Sequence, residues 1–403
     1  MKYFKIIGSL FVAFLVYFSF FWNLGSVTTD DLIVANKDGS FKKKYLMKSM
    51  YDYIIGVKFL AKWEWEYDLD VLFHALENGY IAINEGNKSK LVPMQERIEK
   101  KLGFFTSKDN FRTVILEELK SFKDKHLVSS ILEKKETLDI GKNIARNSWT
   151  IFQHAGNSEV ALMGFTTFNL FDESYEIRDK IESAIENSKA ILIDLRGNLG
   201  GQSIIPLYIA GEIFTEYADS YYSIPGFLQR TDFMNSNTHY ALSVNWAFIS
   251  RITNPLSSEK GTTEFNFEAS KIYYRDSADR SRDVAFSERT VKTHDKSLFF
   301  KGPILIIQDR TCASACEHFI RAMRKHPRVT TFGTNTSGMA NFGGIGSLIL
   351  PNSSLLFGIS NSKFTFNDGF KEFVGIPPMI KARPEENIFN QAFKLIELDM
   401  VNK

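Results

Sequence analysis

Apolar and polar positions change their period along the chain, and the change divides it. From Lys43 to about Leu132 apolar residues recur at helical spacing, as Tyr45, Met50, Tyr53, Ile54, Val57 and Leu60 do. Ser107-Lys108-Asp109-Asn110 predicts a helix start, and Phe111 to Phe122 the helix that follows it. From Trp149 the pattern becomes strand-like. Trp149–Gln153 and Val160–Phe168 read as strands, Tyr175–Asn187 as an amphipathic helix, and Ala190–Leu195 as a strand buried on both faces. A glycine turn, Arg196 to Gly201, leads into a helix from Ile204 to Tyr217. This βαβ order predicts an α/β fold with a mostly parallel, covered sheet.

Asp219 to about Phe300 is irregular and polar, with short aromatic strands such as Lys271–Tyr274, and reads as an insertion over one face. The core pattern returns with the strand Pro303–Ile307, the helix Ala315–Arg324 and the strand Val329–Phe332. Thr334–Gly346 reads as a loop, Ser347–Leu350 with Leu355–Ile359 as a hairpin, and Asn387–Leu398 as a closing helix. The expected organisation is an N-terminal segment (1–27), a linker (28–42), a helical region (43–132) and a core (133–403) carrying the insertion at about 219–300.

Met1 to Trp22 changes the picture of where the protein works. Lys2 and Lys5 precede a run, Ile6 to Trp22, without a charge. The run is longer than the 7–15 residues of an ordinary signal h-region and close to the roughly 17–25 that span a bilayer. It is either a cleaved export signal or an uncleaved membrane anchor. No Cys follows it, which excludes a lipoprotein anchor, and the lysines place the N-terminus in the cytoplasm and the remainder outside. A net charge of +2 points to no nucleic acid or other polyanion.

The candidate chemistry lies at Thr311-Cys312-Ala313-Ser314-Ala315-Cys316-Glu317, between a strand and a helix. Ser314 can be a plain N-cap, the usual task of a serine at a helix start. It can equally be a nucleophile, because unpaired N–H groups at that point can hold an oxyanion. Cys312 and Cys316 form no disulfide framework and no zinc pattern. In an exported chain the pair could be oxidised, but two residues one helical turn apart present nearly parallel Cβ vectors, which suits a bridge poorly, so buried thiols are the first expectation and a bridge the second.

Asp194-Leu195-Arg196-Gly197-Asn198-Leu199-Gly200-Gly201, followed much later by Ser314-Ala315-Cys316-Glu317, resembles the paired motifs of the C-terminal-processing and tricorn-core serine peptidases. Glu372-Phe373-Val374-Gly375-Ile376-Pro377-Pro378 is similar to a third segment of that family, and Asp124-Lys125-His126 to a fourth. The order agrees for all four. The resemblance implies an N-terminal helical region and a crotonase- or ClpP-like core of ββα units. It implies a serine peptidase acting on peptides or unfolded proteins without cofactor or metal, in or near a bacterial cell envelope. A catalytically inactive peptide-binding relative, or an esterase-like hydrolase, is the alternative. The family's substrate-tail-binding PDZ module has no room between His126 and Asp194.

The processing branch of the family takes its general base from a lysine in the loop after the nucleophile helix. Met339 stands there in this chain, and a thioether takes no proton. The tricorn-like branch uses a histidine from the helical region, which here is His126, completed by Glu372. That branch has a serine before the histidine where this chain has Lys125; Asp124 would then orient the imidazole. His318, four positions after Ser314, is the second candidate base. The Ala315 N–H and a glycine N–H from Gly200 or Gly201 would form the oxyanion hole. Arg196, Asn198 and Glu317 are expected to hold the turns rather than touch substrate.

Overall fold

A computed structural model describes residues 27–34, 42, 59–83, 88–128, 148–154, 157–170, 174–202, 204–213, 226–230, 241–242, 245, 300–366 and 368–401. The apolar N-terminal run, the start of the helical pattern before Phe59, the strand Lys271–Tyr274 and most of the insertion lie outside these residues. Among the described residues no helix is long and apolar enough to cross a membrane.

The N-terminal region contains β1 (Phe59–Ala61), α1 (Lys62–Gly79), α2 (Leu91–Lys101), β2 (Phe105–Ser107), α3 (Lys108–Leu119) and the single turn α4 (Lys125–Val128). The helical pattern hid one feature, since β1 and β2 pair antiparallel. Three-residue strands are too short to impose a period of two on the sequence. Ser107 does cap α3, its hydroxyl accepting the Asn110 N–H at 3.1 Å.

The core follows as β3 (Trp149–His154), β4 (Asn157–Phe165), α5 (Ser174–Glu186), β5 (Ala190–Asp194), α6 (Ile204–Ile213), β6 (Gly226–Arg230) and β7 (Ile304–Gln308). Then come α7 (Ala315–Met323), β8 (Val329–Gly333), β9 (Phe342–Ile349), β10 (Leu356–Phe366), β11 (Ile380–Lys381) and α8 (Ile388–Val401). The central sheet has the order β11-β8-β7-β5-β4-β3. Its strand pairs are parallel except at the β3–β4 edge.

Alternation along these strands separates two apolar layers. Ile191, Ile193, Ile304 and Ile306 face α5, α6 and α7 through Ile181, Ile209 and Phe319. Leu192, Leu305 and Ile307 face the other way, against Ile388, Ala392 and Ile396 of α8. Both faces are therefore covered, as a parallel sheet requires. The fold is a mixed α/β core with a mostly parallel central sheet and a helical N-terminal region.

A second, antiparallel sheet, β6-β10-β9, joins the two parts. Leu348, Phe357 and Ile359 pack with Leu72, Leu76 and Ile115 of the helices. β9 begins at Phe342, inside the stretch expected as loop, because its Gly-rich start hides the strand signal. A described fragment of the expected insertion also belongs to this interior. Ala241, Leu242 and Asn245 are buried there, and the Asn245 side chain bonds Val34 N, Leu32 O and Ser347 O.

Candidate active site

Parallel topology places the ends of β5 and β7 side by side, and each runs into a turn that matters. After β5, Arg196 and Asp194 form a buried pair, with Nε to Oδ1 and Nη2 to Oδ2 both at 2.9 Å. Asn198 donates to the Phe165 carbonyl at 3.0 Å and accepts the Gly200 N–H at 2.8 Å. These bonds shape the glycine turn and occupy the side chains of Arg196 and Asn198. After β7, the Thr311 hydroxyl accepts the Gly197 N–H at 2.5 Å, and Ala313 N donates to Asn198 O at 3.1 Å. The two turns are thus stitched together.

Ser314 lies at the junction with φ 54° and ψ −118°, a conformation side chains rarely take. Gly200, with φ +91°, abuts it: a Cβ there would fall 2.6 Å from the Ala313 carbonyl oxygen and 3.0 Å from both Ala315 N and Ser314 Cβ. Only glycine fits. Among the described residues neither Ala315 N–H nor Gly201 N–H has an acceptor, whereas Gly200 N–H is held by Asn198. Of the two glycines weighed as donors, Gly201 is the one whose N–H is not already engaged.

The cysteines depart from expectation. Cys312 and Cys316 form a disulfide, with Cα atoms 5.3 Å apart. The parallel-vector argument assumed that both sit on one helix. Cys312 instead precedes the Ser314 elbow, whose left-handed backbone turns the chain back over the first turn of α7.

Glu317 acts as a hub. Its buried carboxylate accepts from Thr336 Oγ1 (2.5 Å), Gly338 N (2.7 Å), Met339 N (2.7 Å) and Ser314 N (3.3 Å). Burial pushes its acidity below that of an ordinary carboxyl, and these donors work against that. The loop carrying Met339 is therefore fastened to the Ser314 turn through backbone contacts, and Ser337 N adds a bond to Cys312 O at 2.8 Å.

The same loop reaches the other candidate residues. Lys125 Nζ donates to Ser337 O (2.6 Å) and Oγ (2.9 Å), and Asn341 N donates to Glu372 Oε2 (3.0 Å). Asp124 caps α4, its Oδ1 accepting His126 N at 2.8 Å and Leu127 N at 3.4 Å, while Oδ2 accepts the Ser360 hydroxyl at 2.7 Å. Gly358 of β10 makes room for this turn, since a Cβ there would lie 2.9 Å from His126 O. His126 is 9% exposed, and its buried Nδ1 stands 3.6 Å from Asp124 Oδ1 without a hydrogen bond.

Glu372 completes the group, with Oε1 accepting Lys125 N at 3.3 Å. Burial pushes its carboxyl up to about 7, opposed by the Asn341 N–H and by His126, and reinforced by Asp124. One donor atom each from Asp124, His126 and Glu372 lie within 4.8 Å of one another. Local spacing alone does not announce this cluster, since Glu372 arrives from the far end of the chain; it is the resemblance of the separate motifs that grouped the three residues. No hydrogen bond joins His126 to Ser314. His318 is turned away: its Nε2 lies 3.3 Å from Ala340 O, Phe364 and Phe366 pack edge-on to its ring, and burial pushes it down to about 4.

Comparison with known proteins agrees with this architecture. The model of peptidase family S41 matches residues 159–382. The chain belongs to that family and is a serine-type peptidase, so its substrates are peptides or proteins. Mature CPAF complexed with lactacystin shares the fold, at 12% identity and a TM-score of 0.51, over 84% of this chain and 99% of that one. The photosystem II D1 C-terminal processing protease matches at 11% identity and a TM-score of 0.41, over 83% and 97%. A lipoprotein from Streptococcus agalactiae matches at 15% and 0.44, over 83% and 96%. No curated protein matches the chain.

Proposed function

We propose that the protein is an exported or membrane-anchored peptidase in which Ser314 is the nucleophile, His126 the general base and Glu372 the third member. The observation that carries this reading is the fit of Gly200 against Ser314 and Ala315, which leaves no room for any side chain beside the serine. His126 takes the Ser314 hydroxyl proton as Oγ attacks the scissile carbonyl. The tetrahedral oxyanion is held by the Ala315 N–H and the glycine N–H, with Gly201 favoured over Gly200 as donor. His126 then returns the proton to the leaving amine. Asp124 stands on the Nδ1 side of the imidazole, 3.6 Å away, and Glu372 lies in the same cluster, so negative charge beside the ring stabilises the imidazolium. Met339 removes the lysine alternative in the loop, and Lys125 is engaged with Ser337. The N-terminal apolar run supports placement of the core outside the cytoplasmic membrane.

The test uses the full chain in detergent, as wild type, Ser314→Ala and His126→Ala, treated with a fluorophosphonate probe and then with an unfolded protein substrate. Labelling and cleavage should occur in wild type and vanish in Ser314→Ala. In His126→Ala both should fall by about 10²–10⁴, the usual contribution of a positioned base. Full labelling of His126→Ala overturns the assignment of the base. A folded wild type that neither labels nor cleaves overturns the catalytic reading in favour of peptide binding.

A further inference from the structure

Two carboxylates and an imidazole converge at the candidate base, and one feature of that convergence is not needed for proton transfer. His126 Nδ1 is buried, with no hydrogen-bond partner, in a residue only 9% exposed. Asp124 Oδ1 is 3.6 Å away, and the donor atoms of Asp124, His126 and Glu372 share a sphere of 4.8 Å separations. A buried ring nitrogen without a partner is unfavourable, and a ligand that used its lone pair would relieve this. The Tyr80 hydroxyl, buried beside Asp124, likewise makes no hydrogen bond of good geometry.

We propose that Asp124, His126 and Glu372 form a binding site for a divalent transition metal, zinc above all, that switches the peptidase off reversibly. One nitrogen and two carboxylate oxygens suit zinc and its neighbours; calcium and magnesium prefer oxygen alone. Zinc bonds to these donors are about 2.0–2.2 Å, so tetrahedral ligand atoms lie roughly 3.4 Å apart, and separations within 4.8 Å have to close by at most about 1.4 Å. Glu372, half-buried on the turn before Phe373, is the arm that can supply this movement.

The carboxylates are already held from behind, as metal ligands usually are. Asp124 is fixed by His126 N, Leu127 N and the Ser360 hydroxyl, and Glu372 by Lys125 N and Asn341 N. Asp124 Oδ2 and both Glu372 oxygens accept one of these bonds each and keep a lone pair for a metal, whereas Asp124 Oδ1 accepts two, so its 3.4 Å bond from Leu127 N is the one a metal there would displace.

The consequence for chemistry follows from the tautomer, and it rests on His126 being the base. A neutral imidazole that gives its Nδ1 lone pair to a metal carries its proton on Nε2. That nitrogen then has no lone pair to receive the Ser314 proton. Removing the metal restores the Nε2 acceptor without any change in the fold.

Binding and inhibition are measured separately. Zinc binding to the full-length Ser314→Ala protein in detergent is followed by competition with a chromophoric chelator, with cobalt(II) absorption as a second readout. One zinc per chain is expected. Binding should be lost when His126→Ala is added and weakened at least tenfold by Glu372→Gln, with thermal melts confirming that both variants are folded. Absence of saturable binding, or binding that survives His126→Ala or is unchanged in Glu372→Gln, overturns the site. In wild type, saturating zinc should lower fluorophosphonate labelling at least tenfold and a chelator should restore it, while magnesium and calcium do neither. Zinc bound in the expected way with labelling unaffected overturns the switch. Absence of labelling in metal-free wild type instead condemns the catalytic reading, and the binding result still decides the site.

Discussion

Gly200 lies so close to Ser314 that a Cβ added to it would stand 3.0 Å from the serine's own Cβ. It would also press to 2.6 Å on the Ala313 carbonyl and to 3.0 Å on Ala315 N. These are backbone atoms of the turn that presents Ser314, so they cannot swing aside as a flexible side chain would. A φ of +91° adds strain for any residue with a Cβ. Gly200→Ala should therefore shift the Ala315 N–H out of line and lower the rate of fluorophosphonate labelling by about 10²–10³, the usual loss when an oxyanion donor is misplaced. The second-order labelling rate against wild type, at matched folded fraction, is the measurement. A variant that labels within threefold of wild type would show that this packing does not set the oxyanion geometry.

Local signals in the sequence were strong where strands hand over to turns. The continuous apolar runs before Arg196 and Gln308 announced buried parallel strands, and the glycines and Ser314 marked the turns after them. What joins these turns to the rest of the site was not legible. Glu317 reads as an ordinary N3 acid of a capping box, yet its carboxylate also gathers Thr336, Gly338 and Met339. Lys125 occupies a motif position where another residue type was expected, and its partner Ser337 is far away in the chain. Such pairs leave no periodicity behind, because they are fixed by the packing of whole elements. The disulfide, only the second expectation for Cys312 and Cys316, is hidden in the sequence for a related reason: the Ser314 backbone conformation, which brings Cys312 over α7, is not written in the residue types around it.

That disulfide encloses Ser314 and gives a second expectation. A closed loop of Cys312 to Cys316 is short, so its effect on the unfolded chain is modest, about 2 kcal/mol. Cys312→Ser combined with Cys316→Ser should lower the unfolding free energy by about that amount, read as a lower urea midpoint at little-changed slope. Both sulfurs are buried in the layer that holds Phe319 and Ile320, so the serine pair also places two hydroxyls among apolar neighbours. Cys312→Ala with Cys316→Ala avoids this and should be the more stable of the two double variants. If the alanine pair unfolds at the wild-type midpoint, the bridge contributes nothing to stability.

A third expectation concerns pH and lies away from the candidate site. Asp68 of α1 is wholly buried, and its oxygens accept the backbone N–H groups of Asn352 (2.8 Å) and Ser353 (2.7 Å). Burial nevertheless dominates and pushes its carboxyl up to about 6, with Glu64 one turn earlier adding repulsion and the Ser353 and Asn352 bonds opposing. The sign follows from proton binding. Between the unfolded value near 3.8 and the folded value of about 6, the native protein holds the proton that the unfolded chain releases. The stability this group supplies is complete below pH 3.8 and disappears as pH rises through 6, a change on the order of 3 kcal/mol. Asp68→Asn cannot ionise and loses one of the two acceptors at every pH. Its stability relative to wild type should therefore improve steadily from pH 4 to pH 7, whatever its absolute level. Urea midpoints of the two proteins at half-unit steps would show this as a converging or crossing pair of curves; parallel curves would mean that Asp68 titrates in the native protein as it does in the unfolded chain.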